Sequence, residues 1–207
     1  MLAPGYASLE FTPPTAGSYR LPPLWEAADG ALLDAAGKEV ALADLLEGRI
    51  TVLSFIFTRC GDVNGCPLAS YVLQGVAQRV ARDAQLRELA QMVSVSFDPA
   101  YDTPRVVGEY GEAYAVDGAE WRFLTSRDED VLQPVLDAYD QSVVKDYDAD
   151  GNELGTLSHI LRVYLIDGKR RIRNIYSVSF LHADTVTNDI RTLMLEARQS
   201  ESLDVSG

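Results

Sequence analysis

The chain has 207 residues, 47% of them hydrophobic and 24% charged, the make-up of one globular domain whose core needs no disulfide staples. A formal net charge of −13 at pH 7 excludes nucleic acid as a partner, because phosphate binding needs a basic surface. No apolar run reaches the roughly eighteen residues of a helical membrane span, and no basic segment followed by an apolar one opens the chain. Met1-Leu-Ala-Pro therefore reads as a cytoplasmic start or as a start left after removal of a signal peptide or anchor.

Residues 1–24 are rich in Pro, Gly, Ser and Tyr and predict an extended arm. The domain is expected over residues 25–200. Leu32-Leu33-Asp34 and Glu39-Val40-Ala41-Leu42 flank a turn at Ala35–Lys38, a short hairpin. Leu42 to Glu47 reads as a brief helix stopped by Gly48. Ile50–Phe57 is a continuous β-branched and aromatic run, the pattern of a strand buried on both faces. From Pro67 to about Ala90, Leu68, Val72, Val76 and Val80 recur every fourth residue, followed by Leu86 and Leu89; this spacing predicts one long amphipathic helix. Met92–Phe97 is a second strand. Thr103-Pro104 is an N-cap and first helical residue, opening a helix to about Ala115.

Trp121–Leu124 reads as a short strand. Ser126 is the expected cap of a helix to about Asp140, with Pro134 as a bend or early break. Lys145–Gly155 reads as a polar loop; its Asp146, Asp148 and Asp150 lack the twelfth-position glutamate of a calcium loop. Ile160–Ile166, the turn Asp167-Gly168 and Arg170–Tyr176 form a closing hairpin, with Arg170, Arg171 and Arg173 as a solvated strand edge. A last helix runs from Asp184 or Thr185 to about Gln199, and residues 201–207 are expected to be a flexible tail. Alternating β and α elements predict an α/β fold, a central mixed sheet flanked by helices.

The chemistry concentrates in Thr51–Pro67. The two cysteines of the chain, Cys60 and Cys66, lie between the apolar strand and a helix opened by Pro67. Unpaired N–H groups and the helix dipole favour a thiolate there. The pair reads as a redox dithiol or as a structural disulfide, though so short a loop stabilises weakly when closed. Of the two histidines, His159 lies just before the strand Ile160–Ile166, and in a thioredoxin-like sheet the loop ahead of that strand is expected to lie beside the helix-start cysteines. Two sulfurs and an imidazole make a three-ligand set with affinity for Cu(I) and tolerance of Cu(II). His182 reads as a non-ligand. Asp98, at the end of the second strand, can orient His159, tune the charge of the site, or cap a turn with Pro99.

Four blocks carry a resemblance from about Leu32 to Arg191: Asp34-Ala-Ala-Gly-Lys-Glu-Val-Ala-Leu-Ala-Asp-Leu; Phe57-Thr-Arg-Cys60 through Cys66-Pro67; Val95-Ser-Phe-Asp98-Pro99-Ala-Tyr-Asp102-Thr103-Pro104; and Ser158-His159 with Tyr164-Leu-Ile-Asp167. With Trp121-Arg-Phe-Leu-Thr, these resemble the Sco/SenC family, thioredoxin-fold copper proteins that serve assembly of the copper centre of cytochrome c oxidase. The resemblance implies a thioredoxin-like fold, copper held by Cys60, Cys66 and His159, a copper-receiving oxidase subunit or other redox protein as partner, and a periplasmic or otherwise extracytoplasmic place, with membrane contact only through a removed N-terminal anchor. It implies delivery of copper or reducing equivalents rather than turnover of a small substrate.

One feature departs from the family pattern of Cys-x3-Cys. Here five residues separate the cysteines, and the extra pair reads as an Asn64-Gly65 turn built on positive φ. The widened loop either bulges outward and leaves the sulfurs convergent, or carries Cys60 away from His159. The first keeps a copper site. The second leaves a metal-free thiol–disulfide oxidoreductase or peroxidase-like enzyme, and inert thiols would leave an interaction module with a structural disulfide.

Overall fold

The computed structural model describes residues 1–204. Its centre is a five-stranded mixed sheet built around β3 (Ile50–Ile56), whose residues are all buried. Parallel to it runs β4 (Ala90–Ser96), in register from Ile50 opposite Ala90 to Ile56 opposite Ser96. β5 (Trp121–Leu124) continues the parallel side, while β8 (Arg162–Ile166) and β9 (Ile172–Ser177) close the other side antiparallel, giving the order β5-β4-β3-β8-β9. The expected mixed α/β, thioredoxin-like architecture is present.

Alternation along each strand sends side chains to two cores. Val52, Met92, Val163 and Leu165 meet α2 (Cys66–Ala81), α3 (Ala84–Leu89) and α6 (Ala183–Asp204) on one face. Leu53, Phe55, Val93, Val95 and Tyr164 meet α1 (Leu42–Leu46), α4 (Pro104–Glu112) and α5 (Glu129–Ala138) on the other, with β1 (Ala31–Leu33) of the β1–β2 hairpin, whose second strand β2 is Glu39–Ala41. The polar residues of the inner strands satisfy one another: Ser54 Oγ and Ser94 Oγ are 2.8 Å apart, and Trp121 Nε1 donates to Ser94 Oγ at 3.0 Å.

Several expectations are corrected. The long helix from Pro67 is two helices, because Asp83 leaves helical geometry and its carboxylate caps the N–H groups of Gln85 and Leu86. α5 is capped by Asp128, which accepts from Val131 N, and not by Ser126, whose buried hydroxyl has no partner among the described residues; the helix passes Pro134 and ends at Ala138. The expected Lys145–Gly155 loop belongs to a hairpin of β6 (Val143–Tyr147) and β7 (Glu153–His159), a separate two-stranded sheet turning at Asp148–Asn152. His159 still precedes β8, as expected, but as the last residue of β7 and not as part of a loop. α6 continues to Asp204, beyond Gln199, and residues 205–207 of the expected tail lie outside the described residues.

The arginine cluster is not a solvated edge either. Arg173 is buried, its guanidinium 2.7 Å from Asp167 and 2.8 Å from Glu196. Backbone of residues 24–27 covers the β9 edge: Leu24 N donates to Ile172 O and Ile172 N to Trp25 O, at 2.8 and 2.9 Å. The arm before it lies along α6, where Asn188 Nδ2 donates to Pro14 O and Thr192 Oγ1 accepts from Gly17 N.

Candidate thiol and metal site

β3 delivers the chain to the start of α2, and Cys66 is the first residue of that helix, followed by Pro67, whose missing N–H is one of the unpaired groups of a first turn. The Cys66 side chain is fully buried, and its sulfur accepts from Phe57 N at 3.4 Å. Thr58 fixes the start of the intervening loop. Its N–H and hydroxyl both donate to the carboxylate of Asp102, at 3.0 and 2.5 Å, and Ser96 Oγ donates to the same group at 2.5 Å. Asp102 is wholly buried, so this carboxylate ties the loop to the end of β4.

The loop does not use the positive φ expected of Asn64-Gly65. Gly65 has φ −94°, and Asn64 is not among the residues with positive φ. Instead Asp62 builds a tight turn, accepting from Asn64 N on Oδ1 at 3.0 Å and from Gly65 N on its carbonyl at 2.9 Å. Gly65 sits at a close approach: a Cβ there would stand 3.2 Å from both the Cys60 sulfur and Asp62 O, so a larger residue would press on them. The loop bends Cys60 back over the helix start, where it is half-buried and both thiols are free.

The two sulfurs interact. The Cys66 thiol donates toward Cys60, and this hydrogen bond outweighs burial to bring the Cys60 thiol down to about 6. The same bond, then burial, then the charge of Cys60 push Cys66 far up. Phe57 N–H and the helix start act in the opposite direction on Cys66, but a buried sulfur beside a thiolate keeps its proton. At neutral pH the reduced pair is one thiolate and one thiol.

His159 approaches from β7, its Nε2 3.9 Å from the Cys66 sulfur. Its ring rests on Phe97, with centroids 4.6 Å apart, and meets Phe57 edge-on at 6.5 Å. Burial on this aromatic shelf lowers its pKa, only partly offset by the charge of Asp62. A neutral imidazole keeps a lone pair for a metal. Cys66 thus stands next to both partners, but among the described residues no three Cys, His, Asp or Glu side chains stand together at metal-holding separation.

Among the described residues no bond joins Asp98 to His159. Its carboxylate pairs with Arg59 at 2.8 Å, and its backbone carbonyl, not its side chain, holds the turn by accepting from Tyr101 N and Asp102 N. Arg59 also lies 4.0 Å above the Tyr101 ring, so Asp98 reaches the thiols through the residue next to Cys60. His182 is buried far along the chain, its Nε2 2.9 Å from Ala7 O. Three contributors escaped the sequence reading: Asp102, Arg59, and Asn64 with its N-terminal partners. Each stands in a block quoted above, Asp102 in Val95–Pro104 and Arg59 and Asn64 in Phe57–Pro67, but the partners that give them their roles are distant in the chain.

The family model described as SCO1/SenC matches residues 27–195. Among solved structures, copper-bound ScoI of Arabidopsis thaliana is 24% identical with a TM-score of 0.67, covering 84% of this chain and 98% of that one. A SCO1/SenC family lipoprotein of Bacillus anthracis is 24% identical with a TM-score of 0.66, covering 83% and 96%. BsSco, described as carrying a disulfide switch and as a member of the Sco family of cytochrome c oxidase assembly proteins, is 21% identical with a TM-score of 0.65, covering 84% and 96%. No curated protein matches the sequence.

Proposed function

The chain belongs to the SCO1/SenC family, and on that premise we propose that it is a copper-binding, thiol-redox accessory protein that hands copper or electrons to a copper centre such as that of cytochrome c oxidase. Cys60, Cys66 and His159 would be the ligands. The observation that carries the reading is the placing of Cys66 at a helix start, beside the Cys60 sulfur and 3.9 Å from the His159 nitrogen. The donor set fits: two soft sulfurs favour Cu(I), and an imidazole kept neutral by burial adds tolerance of Cu(II). The copper bound by the Arabidopsis relative is consistent with this. An extracytoplasmic place fits as well, since the Bacillus anthracis relative is a lipoprotein.

The test is a copper titration of the reduced protein beside Cys60→Ser, Cys66→Ser and His159→Ala. One equivalent should bind, with Cu(I) affinity falling most in the cysteine variants and Cu(II) affinity falling most in His159→Ala. A folded, reduced protein that takes up no copper at micromolar concentration defeats the proposal. It would promote a metal-free thiol–disulfide oxidoreductase, which the low pKa of half-buried Cys60 favours. In that role the Cys60 thiolate and the Cys66 thiol give up two electrons and one proton to a partner disulfide as their own S–S bond forms.

A further inference from the structure

Two residues more than the family spacing lie between the cysteines, and the structure shows what holds them. The side-chain amide of Asn64 is used at both ends by the start of the chain: Oδ1 accepts from Ala3 N at 2.8 Å, and Nδ2 donates to Met1 O at 3.0 Å. One residue earlier, Val63 O accepts from the Tyr6 hydroxyl at 2.5 Å, while the Tyr6 ring packs on Tyr71 of α2 with centroids 5.0 Å apart. Among the described residues, every hydrogen bond leaving residues 61–64 for another part of the chain goes to this N-terminal segment. Gly61, Asp62 and Val63 are otherwise exposed, and a Cβ on Gly61 would meet nothing within 4 Å.

The segment is itself anchored in the fold. Pro4–Tyr6 is a single 3-10 turn, and Ala3 and Gly5 are buried. Gly5 packs so closely that a Cβ would lie 2.4 Å from Leu181 O and 3.0 Å from Val72. Ala7 O is held by His182 at 2.9 Å. A tether made at such a place transmits the position of the core to the loop, whereas a tether to a free strand would not.

We propose that the N-terminal segment is a positioning element of the thiol site: through Asn64 and Tyr6 it holds the inserted stretch, and so keeps Cys60 turned back toward Cys66. A six-position connection with an exposed middle has many conformations in which the sulfurs are apart. Restricting them raises the effective concentration of one sulfur at the other, as a shorter linker would. The widened spacing is thereby compensated by contacts from residues 57 to 63 positions away. The inference rests on the dithiol as the working site and does not require copper.

The test uses the full chain without metal. One variant acts on the loop side, Asn64→Ala, and one on the arm side, Tyr6→Phe, which keeps the ring contact and removes the hydroxyl. Each is equilibrated with glutathione, so that dithiol plus oxidised glutathione exchanges with protein disulfide plus two reduced glutathiones. Each variant should lower the disulfide equilibrium constant roughly three- to tenfold, the worth of one or two exposed hydrogen bonds. Asn64→Asp, which keeps the acceptor for Ala3 N, should recover part of the loss, and the thermal midpoint should hardly move. If neither variant shifts the equilibrium, or if only the loop-side variant does, the clasp is overturned. A shift in both, with no copper bound by the parent, keeps the clasp and removes the copper reading; copper binding with no shift does the reverse.

Discussion

Cys66 and His159 stand 3.9 Å apart and are held by unlike means. Cys66 is the first residue of a sixteen-residue helix between two cores, and the loop before it is pinned by the buried Asp102. His159 is the last residue of a two-stranded hairpin outside the central sheet, with Val144, Tyr147 and Leu154 all more than half exposed. A lone hairpin of this kind has little stability of its own. What holds it over the site is Phe97 beneath His159, the packing of Val143 and Leu157 against the core that holds Phe55 and Tyr164, an ion pair of 3.3 Å between Lys145 and Glu129, and its own cross-strand bonds. The sulfur half of the site is scaffold and the imidazole half is an appendage. Cys66 and His159 are neighbours across that boundary, while no three Cys, His, Asp or Glu side chains among the described residues stand at metal-holding separation.

The comparison breaks most visibly on the scaffold side. Asp102→Ala leaves Thr58 N–H and two hydroxyls without their buried acceptor, so unfolding by urea should show a loss of about 3 kcal/mol, in the range for removing a buried, charge-assisted network. Asp102→Asn should recover much of the loss, because its oxygen can keep Thr58 N–H and the Ser96 hydroxyl while its NH2 group donates to the Thr58 hydroxyl, which can also accept. An alanine variant within about 1 kcal/mol of the parent would place the anchor of the loop elsewhere.

The second effect is on copper affinity against pH. With Cys60 at about 6, Cys66 pushed up and His159 pushed down, one proton, that of Cys66, must leave when copper binds at pH 7. Affinity should therefore fall about tenfold for each unit of pH lost above about 6 and more steeply below it, where Cys60 is protonated too. Calorimetry in buffers of different ionisation enthalpy counts the protons; two released at pH 7.5 would mean that Cys60 is not the resident thiolate.

Third is the coupling of the sulfurs themselves. Cys66→Ala removes the donor that lowers Cys60, so the midpoint of the alkylation rate should rise from about 6 toward the ordinary thiol range near 8.5, and the rate at pH 7 should drop roughly two- to threefold after allowing for the greater nucleophilicity of a more basic thiolate. An unchanged midpoint would assign the low value to the helix start and not to Cys66.

The same contrast explains what the sequence disclosed. The scaffold was legible because its signals are local: seven consecutive buried positions in β3, and Cys66-Pro67 at the mouth of a four-residue repeat. The appendage was not. Lys145-Asp-Tyr-Asp-Ala-Asp150 is poor in strand formers, and the bonds that make it a hairpin cross from Asp146 to Thr156 and Ser158. The break at Asp83 was readable as a cap three residues before Leu86, but the apolar spacing runs through it. Asn64-Gly65 was read from local turn chemistry, whereas its geometry is set by Asp62 and by the first residues of the chain. His159 was a candidate from its place ahead of a strand near the cysteines, and its position after Ser158 in a block resembling a known family strengthened it.

The smallest effect lies in the hairpin. Asp146 accepts from Thr156 Oγ1 at 2.7 Å and from Ser158 Oγ at 2.8 Å, and those two bonds hold its carboxyl below the usual range. They stitch β6 to the residue just before His159, on the exposed side of a bulged register between Lys145 and Tyr147. Asp146→Ala should leave the global stability unchanged within error, because solvent-facing bonds of this kind are largely replaced by water. It should still speed amide exchange a few-fold in Leu157–His159 without touching exchange in β3 or α2, since a local opening reports only on the unit that opens. Acidification should imitate the variant: with the carboxyl pKa depressed, its cross-strand bonds are present above the ordinary carboxylate range and fade as pH falls below it. Equal acceleration in the hairpin and in β3 would mean that the two halves of the site open together, and the distinction between scaffold and appendage would fail.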